Sequence, residues 1–265
     1  MNSFSGNNYL KCGLSLNAVD REQLAAYSNL PDCVEFLELS GELVLDAAEL
    51  RNELPWLQEL EILHFRNLIS ASLSSMLTPE NQVIVPDYKR QLRELFACAN
   101  RCGAAWVGVD PDWEVLYHDP QRREIFNDVL RSTAGDREYY DLKMTLPVRI
   151  PGSGQTAISN SLKLLYKLNN YRVDLALDIH PHELLNSQVD WEKLLHSFRF
   201  DTACIRFCYE SDLGNKLLFR HIEPVIKTVK QWKRPLCIAI APGRQLDHAG
   251  LSELIKAVNG ESSEV

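Results

Sequence analysis

The run Asp178-Ile179-His180-Pro181-His182 places a carboxylate and two imidazoles side by side. Lone pairs at this density suit a divalent cation bound by Asp178, His180 and His182, or proton transfer by Asp178 and His180. The competing reading is a polar turn that caps the next helix. Other reactive groups also follow apolar runs: His64 and Arg66; Asp110, Asp112 and Trp113; Arg149 and Gly152-Ser153-Gly154; Glu210 and Asp212; and Arg244. Glu210 offers a second acid or base. His64 is either a pocket group or a buried histidine bonded to backbone. Arg66, Arg149 and Arg244 can grip a carboxylate or phosphate through paired N–H groups. Backbone amides of a Gly-Ser-Gly turn at a helix start would help to hold such an anion. The same arginines could instead pair with Asp110, Asp112 or Glu210 at the surface. Trp113 could stack on a substrate. Lys143 alternates with Asp141 and Thr145 on one side of a strand. Facing inward, it is either a Schiff-base lysine or the partner of an acid such as Asp141. Glu38 reaches toward the same mouth or pairs with a neighbour.

These groups need a scaffold, and the chain spells one out. Eight β-rich runs start at Leu10, Val34, Leu60, Ala104, Tyr140, Val173, Thr202 and Pro235, each bounded by polar or turn residues. Helical patterns lie between them. Asp20 is placed to cap one through Leu30. Asp87 precedes Leu92, Leu95, Phe96 and Ala99, with Gly103 ending that helix. Asp119-Pro120 is a cap followed by proline at the first helical position. Ile125, Phe126, Val129 and Leu130 form its apolar face, and Gly135 is its expected stop. Further patterns cover Thr156 to Leu168, Trp191 to Phe198, Ile222 to Val229 and Leu251 to Val258. Eight strand–helix units predict a parallel sheet closed into a single (β/α)8 TIM barrel, an α/β fold. The alternative is an open doubly wound sheet, but no Gly-x-Gly-x-x-Gly turn follows the first strand, so no nucleotide cofactor is expected. One domain is expected over residues 1–260, with a frayed tail at 261–265. In a barrel the strand ends above would meet at one mouth. The stretches after Asn67 and after Asp110 would be its two large loops.

Composition narrows the function classes. The 265 residues carry 28 Lys and Arg against 36 Asp and Glu, a net charge of −8. Non-specific nucleic-acid binding needs clustered positive charge, so nucleic acid is not an expected partner. No apolar run is long enough to span a membrane, and no membrane partner is expected. The N-terminal residues lack a basic region and an apolar stretch, so no secretory signal is read there. Seven cysteines include none in Cys-x-x-Cys spacing; Cys98 and Cys102, like Cys204 and Cys208, are spaced for neither a bridge nor a metal clamp. Reduced thiols and a cytoplasmic location follow as expectations.

The strand-end residues also carry a family pattern. Leu10–Leu16, Leu63-His64, Val109-Asp110-Pro111, Ile150-Pro151-Gly152-Ser153-Gly154, Leu177-Asp178-Ile179 and Ala241-Pro242 follow in order along the chain. In that order the chain resembles the xylose-isomerase-like barrels, which include sugar-phosphate isomerases/epimerases and apurinic endonucleases. The resemblance implies a divalent metal (Mn, Zn, Co or Fe) and proton transfer next to a carbonyl. Family ligands are glutamates closing strands five and eight, an aspartate on six and a following histidine. His64 and Asp178 match, whereas Val148 and Ile240 stand near the glutamates, and Arg206 or Phe207 stands where strand seven carries a histidine.

The resulting expectation is a sugar or sugar-phosphate isomerase/epimerase acting on a small polyhydroxy, anionic compound. Its catalytic groups are Asp178, His180 and Glu210; His64, Arg66, Asp110, Trp113, Arg149 and Arg244 hold the substrate. The alternative is a divergent, non-catalytic barrel that binds a ligand or protein partner.

Overall fold

A computed structural model describes residues 10–16, 24–69, 76–110, 112–150, 173–181, 191–209, 215–241 and 248–259. The eight expected strands are all present: β1 Leu10–Leu16, β2 Phe36–Ser40, β3 Glu61–Ile69, β4 Trp106–Val109, β5 Lys143–Ile150, β6 Val173–Ile179, β7 Thr202–Cys208 and β8 Leu236–Ala241. Each pairs in parallel with its sequence neighbours, and β8 returns to β1, closing the barrel. The open doubly wound alternative is thereby excluded.

Both faces of each strand are covered, which explains the nearly continuous apolar runs. The outward set includes Leu14, Leu37, Phe65, Val107, Leu146, Leu177, Ile205 and Ile240, buried against the helices. The inward set begins with a small apolar layer of Phe36, Ala176, Cys204, Cys237 and Ala239, with Trp106 packed on it. Strand side chains alternate faces, so the next inward positions toward the C-terminal end are Glu38, Asp178 and Arg206. The polar residues therefore form a second layer directly above an apolar one. Strand register brings Ser15 beside Glu38, Glu38 beside His64, and Asp178 beside Arg206.

Several local expectations need correction. The helix expected from Asp87 is α3, Val85–Arg101 (after α1 Ala47–Glu53 and α2 Trp56–Glu59); it starts earlier because Pro86 occupies its first turn. Gly103, at φ 78°, takes the left-handed backbone expected just after a helix end. Helix α4, Trp113–His118, is capped by Asp112, and α5, Pro120–Ser132, by Asp119, whose carboxylate accepts from the amides of Gln121 and Arg122. Gly135 does not stop the chain; it lies inside α6, Ala134–Tyr139. His64 is not at a strand end, because β3 runs on to Ile69. The region expected as a loop up to Pro86 also holds a 3₁₀ helix at Pro79–Ile84. Helices α7 Trp191–Phe198, α8 Asn215–Lys230 and α9 His248–Asn259 cover the expected patterns. The patterns at Asp20 and Thr156–Leu168, and the tail at 261–265, lie wholly or partly outside the described residues. Among the described residues, no helix is long and apolar enough to cross a membrane.

Candidate functional site

Arg206 is the centre of the barrel's polar layer. It is 1% exposed, with a guanidinium that touches groups from three other strands. Its Nε lies 2.5 Å from Glu38 Oε1. Its Nη1 donates to Asp178 Oδ1 at 2.9 Å, and its Nη2 sits 3.1 Å from His64 Nδ1. Arg66 Nη2 donates to the other Asp178 oxygen at 2.5 Å. Ser15 Oγ donates to Glu38 Oε1, and His64 Nδ1 bonds Glu38 Oε2. Thr145 Oγ1 completes the imidazole's contacts, 2.8 Å from Nε2. With Nδ1–H donating to Glu38, Nε2 is the acceptor for the Thr145 hydroxyl, so His64 is held as one neutral tautomer. Gly108 leaves room for that ring: a Cβ there would lie 3.1 Å from Nε2.

The electrostatics follow from burial and pairing. Burial alone would push the Glu38 carboxyl up, but Arg206, His64 and Arg66 outweigh it and hold Glu38 well below its ordinary value. Burial lowers the His64 pKa; Glu38 pulls it up in part, and Arg206 and Arg66 push it down again. Burial also opposes the charge on Arg206, yet Glu38 and Asp178 more than reverse this. Asp110, at the end of β4, behaves differently. Burial raises its pKa against the pull of Arg66, and the Asp178 charge adds to the rise.

The expected site residues divide into three groups. His64, Arg66 and Asp178 share this one bonded network, and Asp110 feels its charges. His180 is buried directly after β6, and Arg149 is exposed on β5 with its Cα paired to that of Asp178. Glu210, His182 and Arg244 lie outside the described residues, as does the Trp113 side chain. Lys143 is exposed at the start of β5, away from the strand ends, so the Schiff-base reading is withdrawn. Glu38, expected to reach the mouth or to pair with a neighbour, is fully buried and pairs with Arg206 and His64. Arg206, Thr145 and Ser15 were missed as site groups. The available signal was a lone charge inside an apolar strand, as in Phe36-Leu37-Glu38-Leu39 and Ile205-Arg206-Phe207.

The described groups do not fit a divalent cation. Such an ion needs roughly four to six ligand atoms. Among the described residues, no group of three or more His, Cys, Asp or Glu side chains is placed to hold one. Both oxygens of Asp178 already accept from guanidiniums. Val148 and Ile240 face the helices, and the inward-facing residue beside Ile240 is Ala239. All seven cysteines are free thiols.

No family model matches the chain, and no curated protein matches it. Solved structures do. D-psicose 3-epimerase from Clostridium cellulolyticum H10 superposes with a TM-score of 0.63 at 10% identity, covering 95% of this chain and 97% of that one. The 3-keto-D-glucoside 4-epimerase of E. coli gives 0.60 at 12% identity, covering 92% and 98%. A family 2 AP endonuclease from Brucella melitensis gives 0.58 at 14% identity, covering 91% and 96%. Identity this low carries the fold and not the chemistry. By its closed parallel barrel and these superpositions, the chain has a (β/α)8 fold similar to that of these epimerase and endonuclease structures.

Proposed function

We propose that this barrel is isomerase/epimerase-like, binding a small polyhydroxy, anionic compound at its C-terminal mouth and moving a proton next to a carbonyl. The observation that carries the reading is the polar layer of Glu38, His64, Asp178 and Arg206 at the C-terminal half of an otherwise apolar interior, with Arg66 bonded above it. Removing three charged groups and an imidazole from water is costly, and such placements cluster at functional sites.

Roles follow from the bonding. Asp178 holds two guanidiniums and is better suited to position them than to accept a proton. Arg66, Arg149 and Arg244 supply positive charge for an anionic end of the substrate or for a developing enediolate. Asp110, with its raised pKa, and His180 are the proton-moving groups, with Glu210 as the second carboxylate. His64 and Trp113 shape the substrate pocket.

The satisfied pairing of Glu38 and Asp178 favours a second reading: a barrel that binds such a ligand without turning it over. One experiment separates the two. The protein is incubated in D2O with a panel of ketoses, aldoses and their phosphates, and proton NMR follows the signal next to the carbonyl. Loss of that signal supports catalysis. Thermal stabilisation by a panel member without exchange supports binding alone, and neither effect with any member refutes both readings.

A further inference from the structure

The guanidinium of Arg206 meets Glu38 Oε1, Asp178 Oδ1 and His64 Nδ1 from β2, β6 and β3, each through a different nitrogen. These side chains have the chemistry that binds divalent cations elsewhere. Here a planar organic cation sits among them. We propose that Arg206 is the resident cation of this barrel, filling the place a divalent metal would need and making the site metal-independent. The inference deepens the proposed function, because it says what charge the working mouth relies on, and it rests on that mouth being the site.

The charge balance supports it. Two carboxylates, Glu38 and Asp178, face two guanidiniums, Arg206 and Arg66, while His64 is neutral. A divalent ion entering this layer would meet anions that are already neutralised. It would have to expel a side chain that is 1% exposed and held between two carboxylates. Geometry points the same way, because a guanidinium fork presents N–H groups to several acceptors in one plane, which a point charge cannot do. The pairing also transmits order outward. Arg206 fixes one oxygen of Asp178, and the other fixes Arg66, whose side chain is 14% exposed. Arg206 is thus a positioning residue that presents Arg66 to the mouth.

The test uses the full chain and needs no substrate. Elemental content and thermal unfolding of the wild type are measured with EDTA and with added Mn2+, Co2+ or Zn2+. The expected result is no stoichiometric metal and no change in Tm on chelation. Near-stoichiometric metal whose removal lowers the Tm, both effects lost in Asp178→Asn, would overturn the proposal. Arg206→Ala is expected to lower the Tm by about 10 °C, since one partner of a buried pair is removed. Millimolar guanidinium chloride, but not equal NaCl, should restore part of it. A loss that guanidinium does not relieve would mean ordinary packing and overturn the proposal. If Arg206→Ala does not fold, Arg206→Lys and the wild-type metal measurement decide. Guanidinium rescue without any proton exchange on the sugar panel would sink the catalytic reading alone.

Discussion

Arg206 Nη1 lies 2.9 Å from Asp178 Oδ1, and the Cα atoms of the two residues are register partners on neighbouring strands. The parallel register of β6 and β7 therefore pairs these charges: each strand places its inward residue at one height, so the charges meet without a long reach. Taken out of water together they are tolerated; separated, either one is a liability.

Glu38→Gln tests that asymmetry. The substitution keeps the shape but removes the charge that Arg206, His64 and Ser15 all address. The expected loss is about 3–5 kcal/mol, the cost of breaking a buried pair from one side. The surface pair Lys89–Asp128 has the same kind of contact at 2.7 Å, with Asp128 53% exposed. Asp128→Asn should cost roughly 0–1 kcal/mol. Urea midpoints of the two variants give the comparison, and equal losses would contradict it.

Stability should fall in acid in two stages. The folded His64 resists protonation, while the unfolded chain takes up that proton near pH 6.5. The unfolded state then binds more protons, so stability drops as pH falls below that point. Glu38 adds a second loss below about pH 4.5, where the unfolded carboxylate protonates and the folded one does not. Asp110, Asp174 and Asp201, raised by burial, act in the opposite direction in the carboxylate range, so the first stage is the cleaner one. Urea midpoints at pH 8, 7, 6 and 5 should decline for the wild type and flatten for His64→Gln. A wild-type midpoint constant over that range would rule the mechanism out.

Thiol chemistry should sort the cysteines by burial. Burial pushes Cys12 and Cys204 up to about 12, and raises Cys237 and Cys208 as well. A thiol held protonated and covered is a poor nucleophile. Cys33, Cys98 and Cys208 are only half-buried, Cys208 with its thiol pushed up. In a native-state reaction with an aromatic disulfide reagent followed by peptide mapping, Cys33 and Cys98 should label first. Labelling of Cys204 as fast as Cys98 would show that the barrel opens far more readily than its packing implies.

What could be read in advance divides along physical lines. All eight strands were legible because each is an apolar run set between polar breaks, and eight such units leave few ways to bury them. Helix limits were less so: Asp87 is a good cap type, but Pro86 at the first turn moved the start to Val85. His64, Arg66 and Asp178 were visible as polar residues ending apolar runs. The link between Glu38 and Arg206 was not visible. Each shows up as a lone charge in a strand, but they stand 168 positions apart, and only closure and register bring them together. Lys143 failed for the converse reason. Alternation gives the side of a strand but not the height, and at the start of β5 the same side is exposed to water.

The contrast between Asp178→Asn and Asp110→Asn separates positioning from proton transfer. In Asp178→Asn the new amide nitrogen must face a guanidinium N–H, donor against donor, because both carboxylate oxygens now accept such bonds. That variant should lose Tm along with any activity. Asp110 is held where burial already disfavours its charge, with Asp178 adding repulsion. Replacing it with a neutral amide removes a charge the fold resists, so Tm at pH 7 should hold or rise. If Asp110 moves the proton, deuterium exchange into the substrate should still fall by roughly 10²–10⁴-fold, the usual contribution of a general acid or base. Stability gained at the expense of activity is the behaviour of a working site. Full exchange in Asp110→Asn would transfer the proton-moving role to His180 or Glu210, and His180→Gln and Glu210→Gln under the same assay would show which.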